Sequence, residues 1–164
     1  VYKRQVLTTP MQLGVMTARI ANGKEAVVPS LLSGSNQTGQ NFAPLDISEA
    51  ALAVIRRGMS AVLYGGAGTA NRYKLSKKYG GMAGKTGTVQ VKRITLAQRE
   101  KGITKNIDRP WAERDHALFV AYAPVKNPRY AISVVVEHGG SGSSTAAPVA
   151  RDILAKTIAE RGRA

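Results

Sequence analysis

The sequence predicts an α/β (α+β) domain in which an antiparallel sheet is flanked by helices. Three observations carry this. Apolar residues recur at helical spacing in the first third of the chain and again at its end. Two apolar runs rich in strand formers, 116–123 (HALFVAYA) and 130–137 (YAISVVVE), are separated only by a short Pro-bounded segment. Between helices and strands lies a glycine-flanked stretch, 80–88 (GGMAGKTGT), after which the periodicity changes.

The elements follow in order. Thr9 caps a first helix, Pro10 suits its first position and Gln12 completes a capping box. Leu13, Met16 and Ile20 form its stripe, and Asn22-Gly23 ends it. Residues 29–46, with Pro29, Gly34, Gly39 and Pro44, read as a loop. Ser48 caps a second helix through about Leu63, with Leu52, Ile55 and Met59 on one face; Gly65, Gly66 and Gly68 break it. A further helical turn is expected from Thr69 to about Lys74. Thr86, Thr88, Gln90 and Lys92 then alternate with Gly87, Val89, Val91 and Arg93, as in a strand. Residues 94–115 are a long, mostly charged connection, expected to be solvated and mobile. The two apolar runs are strands, antiparallel across the 124–128 loop, and their continuous apolar character implies burial on both faces. A turn at 139–142 precedes a last helix capped by Ser144, with Val149, Ile153, Leu154 and Ile158 as its stripe.

The chain has 164 residues, enough for one domain with a core. It has no cysteine and two histidines, His116 and His138, so thiolate or multi-histidine metal sites are not expected, and no cofactor is implied. No run of about 18 apolar residues crosses a membrane, and the N-terminus lacks the order of a signal peptide. The formal net charge of +14 favours a polyanionic neighbour. Aromatics, at 5%, are too few for a base-stacking platform, and acids interrupt the basic residues of 92–114; no nucleic-acid partner is expected. A non-catalytic basic binding or interaction module remains the alternative to an enzyme.

The 80–88 stretch admits two chemistries. A phosphate-cradling loop needs Gly, four residues, then Gly-Lys-Thr/Ser, which would put the first glycine at Tyr79. It must also follow a strand and open a helix, whereas Val89-Gln90-Val91 continues as strand. The nucleotide reading fails on both counts.

The other chemistry is serine acyl transfer. Lys-Thr-Gly on a strand is one of three motifs of penicillin-binding proteins and serine β-lactamases, beside Ser-x-x-Lys and Ser-x-Asn or Ser-Asp-Asn. Residues 83–91 (AGKTGTVQV) resemble that strand in penicillin-binding transpeptidases. Residues 116–124 (HALFVAYAP) resemble the next strand, and 127–140 (NPRYAISVVVEHGG) the last strand and its turn. Residues 9–13 (TPMQL) and 16–23 (MTARIANG) resemble the helix after the second motif. The resemblance covers roughly 6–160 and is nearest the elongation-specific penicillin-binding protein 2 group; Val1–Gln5 lie outside it.

The resemblance implies a partial penicillin-binding transpeptidase or β-lactamase-like fold, with 1–164 as the C-terminal portion of the domain and two sheet strands upstream. It also implies D,D-transpeptidase chemistry on D-Ala-D-Ala stem peptides of peptidoglycan, trapping by β-lactams, association with elongation-complex proteins, and a place on the periplasmic face of the bacterial inner membrane. The membrane anchor would lie outside this chain. By the same resemblance Lys85 and Thr88 are catalytic, and Thr86, Gly87 and Thr88 bind substrate. Lys85 supplies a cation near the substrate carboxylate, Thr86 a hydroxyl donor, Gly87 room for substrate backbone, and the Thr88 N–H half an oxyanion hole. His116 and His138 are read as structural. No serine is followed three residues later by lysine, and there is no Ser-x-Asn. The nucleophile is therefore expected on the missing N-terminal part of the same protein, with the isolated chain inactive.

Overall fold

The computed structural model describes residues 6–23, 27–30, 43–100 and 102–161. Val1–Gln5 and most of the 29–46 loop lie outside the described residues. Helix α1 spans Pro10–Asn22 and α2 spans Glu49–Tyr64. Strand β1 is Ala83–Val89, a short helix α3 is Leu96–Glu100, β2 is His116–Ala123 and β3 is Tyr130–Val136. A π-helical turn at Gly142–Ala146 runs into α4, Ala147–Arg161. The three strands form an antiparallel sheet in the order β1-β2-β3.

The first helix forms as its sequence dictates. Thr9 Oγ1 accepts from the Gln12 N–H at 3.2 Å while Gln12 Oε1 accepts from the Thr9 N–H at 2.8 Å, the reciprocal capping box. Gly23, in the left-handed conformation at φ 93°, donates its N–H to Arg19 O and ends the helix. Ser48 caps α2 as expected, accepting from the Ala51 N–H. Arg56 of α2 then donates from Nε to Ile20 O at 2.8 Å and from a terminal nitrogen to Ala21 O at 3.0 Å. The last turn of α1 thus receives both donors and positive charge from α2.

Two cores sandwich the sheet. On one face Ala117, Phe119 and Ala121 of β2 pack with Leu63, Leu75, Met82, Ala147, Ala150 and Leu154. On the other, Ala83 and Tyr122 pack with Ala21 and Met59. Successive β2 residues point to opposite faces, and Ala117, Phe119, Ala121, Tyr122 and Ala123 are all buried. Burial raises the Tyr122 phenol above its ordinary pKa, while Arg56 pulls the other way.

Several expectations need correction. Alternation in the sequence runs to Arg93, but β1 stops at Val89, because Val89 is paired with His116, the first residue of β2, and the ladder has no partner beyond it. Among the described residues only β2 is buried on both faces; β3 lies at the edge of the three-stranded sheet, and its Val135 is 37% exposed. Ile55 is likewise 37% exposed, whereas Leu52, Met59 and Leu63 are buried. Ser144 does not cap α4. It lies inside the π-helical turn, which is held by Thr145 N–H to Ser141 O at 3.0 Å and Thr145 Oγ1 to Gly139 O at 2.8 Å. The wider turn leaves Val149 and Ile153 about half exposed and presents Ala147, Ala150 and Leu154 to the sheet. Small residues there let α4 approach closely.

Among the described residues no helix is long and apolar enough to cross a membrane.

Phe119 is fully buried at the centre of the larger core. Phe119→Ala is expected to lower the unfolding free energy by about 3–5 kcal/mol, measured by denaturant titration, whereas Ile153→Ala on the exposed side of α4 should change it by under about 1 kcal/mol.

Candidate functional site

The Lys-Thr-Gly segment lies on β1, which is paired with β2 on one side only. Its start is fixed by Tyr64, the last residue of α2, whose hydroxyl donates to Leu75 O at 3.1 Å and accepts from the Met82 N–H at 3.2 Å. Gly81 permits this contact: a Cβ there would stand 2.7 Å from the Tyr64 hydroxyl, and its φ is 68°.

Lys85, Thr86, Gly87 and Thr88 follow consecutively, opposite Val120, Phe119, Leu118 and Ala117. Lys85 is exposed, and its Nζ donates to Thr86 O at 2.8 Å. The Thr86 hydroxyl lies 3.2 Å from that of Thr69, on the segment that follows α2. Thr88 is exposed. The four residues predicted from sequence therefore sit together on one accessible strand edge.

An apolar cavity of about 520 Å³ opens beside them, between α1, α2 and the sheet. Leu13, Met16 and Ile20 line it from α1, and Ile55, Met59 and Val62 from α2, with Lys85, Thr86 and Gly87 at its border. This explains Ile55, which faces the cavity instead of the core. Lys85 and Thr86 thus border an apolar depression, an arrangement that can orient a charged end of a ligand whose body is apolar.

Sequence reasoning missed three supporting residues. Thr69 carried no signal beyond its place after a glycine-rich break. Tyr64 was not distinguished from any other residue at a helix end. Gly142 is the most telling: a Cβ on it would fall within 2.3 Å of both Gly87 O and Leu118 O. The π-helical turn therefore presses directly on the backbone of Gly87. Gly87 itself is constrained from within the fold, since its Cβ would meet Leu118 Cβ at 3.2 Å.

The connection after β1 is mostly solvent-exposed and carries bonds of its own. Lys92 pairs with Glu113 at 2.7 Å and Arg109 with Asp115 at 3.3 Å. Arg114 donates to Arg109 O and Ile107 O. Two of the acids that interrupt the basic run, Glu113 and Asp115, are its ion-pair partners. His116 and His138 contact each other: the His138 N–H donates to His116 Nδ1 at 2.8 Å. Among the described residues no group of three or more His, Cys, Asp or Glu could hold a metal ion.

A sequence model described as "Penicillin binding protein transpeptidase domain" matches residues 4–155. This chain belongs to the penicillin-binding transpeptidase family. It is 33% identical over 159 residues to the peptidoglycan D,D-transpeptidase MrdA of Salmonella typhimurium, covering 90% of this chain and 24% of that protein. It is 33% identical over 156 residues to MrdA of Haemophilus influenzae, covering 89% and 23%. Among solved structures, Helicobacter pylori PBP2 in complex with MreC matches at TM-score 0.71 and 28% identity, over 95% of this chain and 25% of that one. Pseudomonas aeruginosa PBP2 in complex with WCK 5153 matches at TM-score 0.65 and 31% identity, over 92% and 30%. The chain spans about a quarter of the length of the curated relatives it matches. Family and fold are those expected from the Lys-Thr-Gly strand and its neighbours.

Gly142→Ala is expected to lower stability by about 1–3 kcal/mol and to move the Gly87 amide resonance. Gly66→Ala, where a Cβ would meet nothing within 4 Å, should leave that resonance in place. Thermal melts and amide spectra of the two variants check this.

Proposed function

We propose that this chain forms the Lys-Thr-Gly wall of a peptidoglycan D,D-transpeptidase site, completed by polypeptide outside this sequence. One observation carries the reading: in a chain of this family, Lys85, Thr86, Gly87 and Thr88 stand on an open strand edge, the first three of them bordering an apolar cavity.

The chemistry is acyl transfer on a D-Ala-D-Ala stem peptide. A serine oxygen forms a bond to the penultimate D-Ala carbonyl carbon. The amide bond to the last D-Ala breaks, and the released amine takes a proton. An amine of a neighbouring stem then attacks the ester, frees the serine and forms the cross-link. Lys85 supplies a fixed cation for the substrate's terminal carboxylate and for proton transfers beside it. Thr86 offers that carboxylate a hydroxyl donor. Gly87 leaves the strand edge bare for substrate backbone. The Thr88 N–H stabilises the developing oxyanion; one such donor is worth on the order of 3 kcal/mol in the transition state. β-Lactams would occupy the same wall.

The serine and its lysine base have no counterpart in this sequence, which holds no Ser-x-x-Lys. A segment from outside the chain would cover the apolar cavity and bring the nucleophile to Lys85. A periplasmic location at the inner membrane follows from this substrate. Elongation-complex proteins are proposed partners, by analogy with the H. pylori PBP2 solved with MreC.

A fluorescent-penicillin gel tests the assignment. The isolated chain is expected to remain unlabelled, and the protein carrying its upstream Ser-x-x-Lys segment to be labelled. Lys85→Ala in that protein should slow labelling by about 10²-fold or more. Covalent labelling of the isolated chain would overturn the reading.

A further inference from the structure

We infer that His116 is a positioning residue for the Lys-Thr-Gly strand: its neutral imidazole holds the turn that supports Gly87 and Thr88, and its protonation releases them. The inference starts from the register. His116 lies opposite Val89, immediately beyond the Thr88–Ala117 pair. On its other side, Ala117 pairs with Val136, after which β3 turns through Glu137, His138 and Gly139.

That turn is bound back to the start of β2. The His138 N–H donates to His116 Nδ1 at 2.8 Å. The Gly140 N–H donates to Asp115 O at 2.8 Å, and His138 Nδ1 lies 3.0 Å from Arg114 O. His138 takes φ 54°, an uncommon conformation for a residue other than glycine, so these bonds must hold it there. The chain then leads within four residues to Gly142, which is packed against Gly87 O and Leu118 O. A displacement of the turn therefore reaches Gly87 through the π-helical turn and Val89 through the β1–β2 ladder.

The two imidazoles are not equivalent. His138 Nδ1 faces a carbonyl oxygen, so it carries a proton in either charge state, and a further proton at Nε2 leaves that bond intact. His116 Nδ1 accepts from an N–H, so it must present its lone pair. Protonation there sets donor against donor at 2.8 Å. Either the ring rotates or the turn withdraws. The rings lie 4.7 Å apart, edge to face, with Trp111 4.3 Å from His138.

The surrounding charges are largely committed elsewhere. On the arm leading into β2, Asp115 is held by Arg109, and Arg114 donates to Arg109 O and Ile107 O. Glu113 pairs with Lys92 from beyond β1. Asp108 and Arg93 lie further along these two segments, and Glu137 is exposed at the end of β3. The π-helical turn contributes only hydroxyls. None of these replaces the lone pair of His116 as acceptor for the His138 N–H. The support of Gly87 and Thr88 is thereby tied to the lone pair on His116 Nδ1.

Imidazole and amide resonances of the full 164-residue chain, followed by NMR from about pH 8 to about pH 5, test this. At the upper end His116 is expected to carry its proton on Nε2. The amides of Thr88, Val89, Gly139 and Gly142 should move with the same midpoint as the His116 ring. In His116→Gln, whose side-chain oxygen accepts from the His138 N–H but does not titrate here, those movements should vanish. In His138→Asn, which keeps the backbone donor and tolerates the left-handed conformation, they should persist. A proton on His116 Nδ1 at the upper end would overturn the inference. So would stationary Thr88 and Gly142 amides while His116 titrates, or movements that survive His116→Gln. The titration reads strand position, so it stands whether or not acylation is found.

Discussion

The fold depends on β2 being hydrogen-bonded on both sides and covered on both faces. A strand so enclosed has no room for polar side chains, and its run of Ala, Phe, Val and Tyr is the consequence. Among the described residues β1 and β3 each pair with β2 on one side. Helix α1 on one side and α4 on the other supply the two apolar layers, and α2 adds Met59 to the first and Leu63 to the second. The alanines of β2 and α4 matter as much as Phe119, because they set how closely the layers approach.

An edge strand is ordinarily a liability, since its outward backbone groups invite pairing with other chains. Here the edge is where a reactive site can be built. β1 keeps one side in the ladder while Lys85 and Thr88 remain exposed. The cost is that such a strand has fewer neighbours to hold it. Tyr64 fixes its start, Thr69 contacts Thr86, and Gly142 presses on Gly87 from behind. These supports come from the end of α2 with the segment after it and from the π-helical turn, which gives distant segments influence over four residues.

Charge follows the same logic. A net charge of +14 invites a search for a polyanion, yet the basic residues after β1 are partly spent on structure. Lys92, Arg109 and Arg114 tie the connection to itself and bring it to the start of β2, beside the paired histidines. The exposed Lys92–Glu113 pair contributes little stability by itself, whereas Arg109–Asp115 is largely shielded from water. Their effect is to define a path for a segment with few apolar residues to bury.

Much was legible in the sequence because its causes are local. The Thr9–Gln12 capping box, the Gly23 stop, the Ser48 cap and the apolar runs of β2 and β3 depend on short-range hydrogen bonding and periodicity, which a one-dimensional reading captures. The Lys-Thr-Gly residues were legible as a motif on a strand, and their family followed from the surrounding segments. What the sequence did not determine was anything set by distance across the chain. The end of β1 at Val89 depends on where β2 begins, and the phase of α4 depends on a π-helical turn that no periodicity announces. Gly142 looked like one more turn glycine, and only packing shows that it lies against Gly87. His116 and His138 are 22 positions apart, and only the antiparallel ladder makes one the acceptor for the other. Local propensity fixed the elements and the motif; tertiary packing decided which backbone presses on the motif and which side chain holds it there.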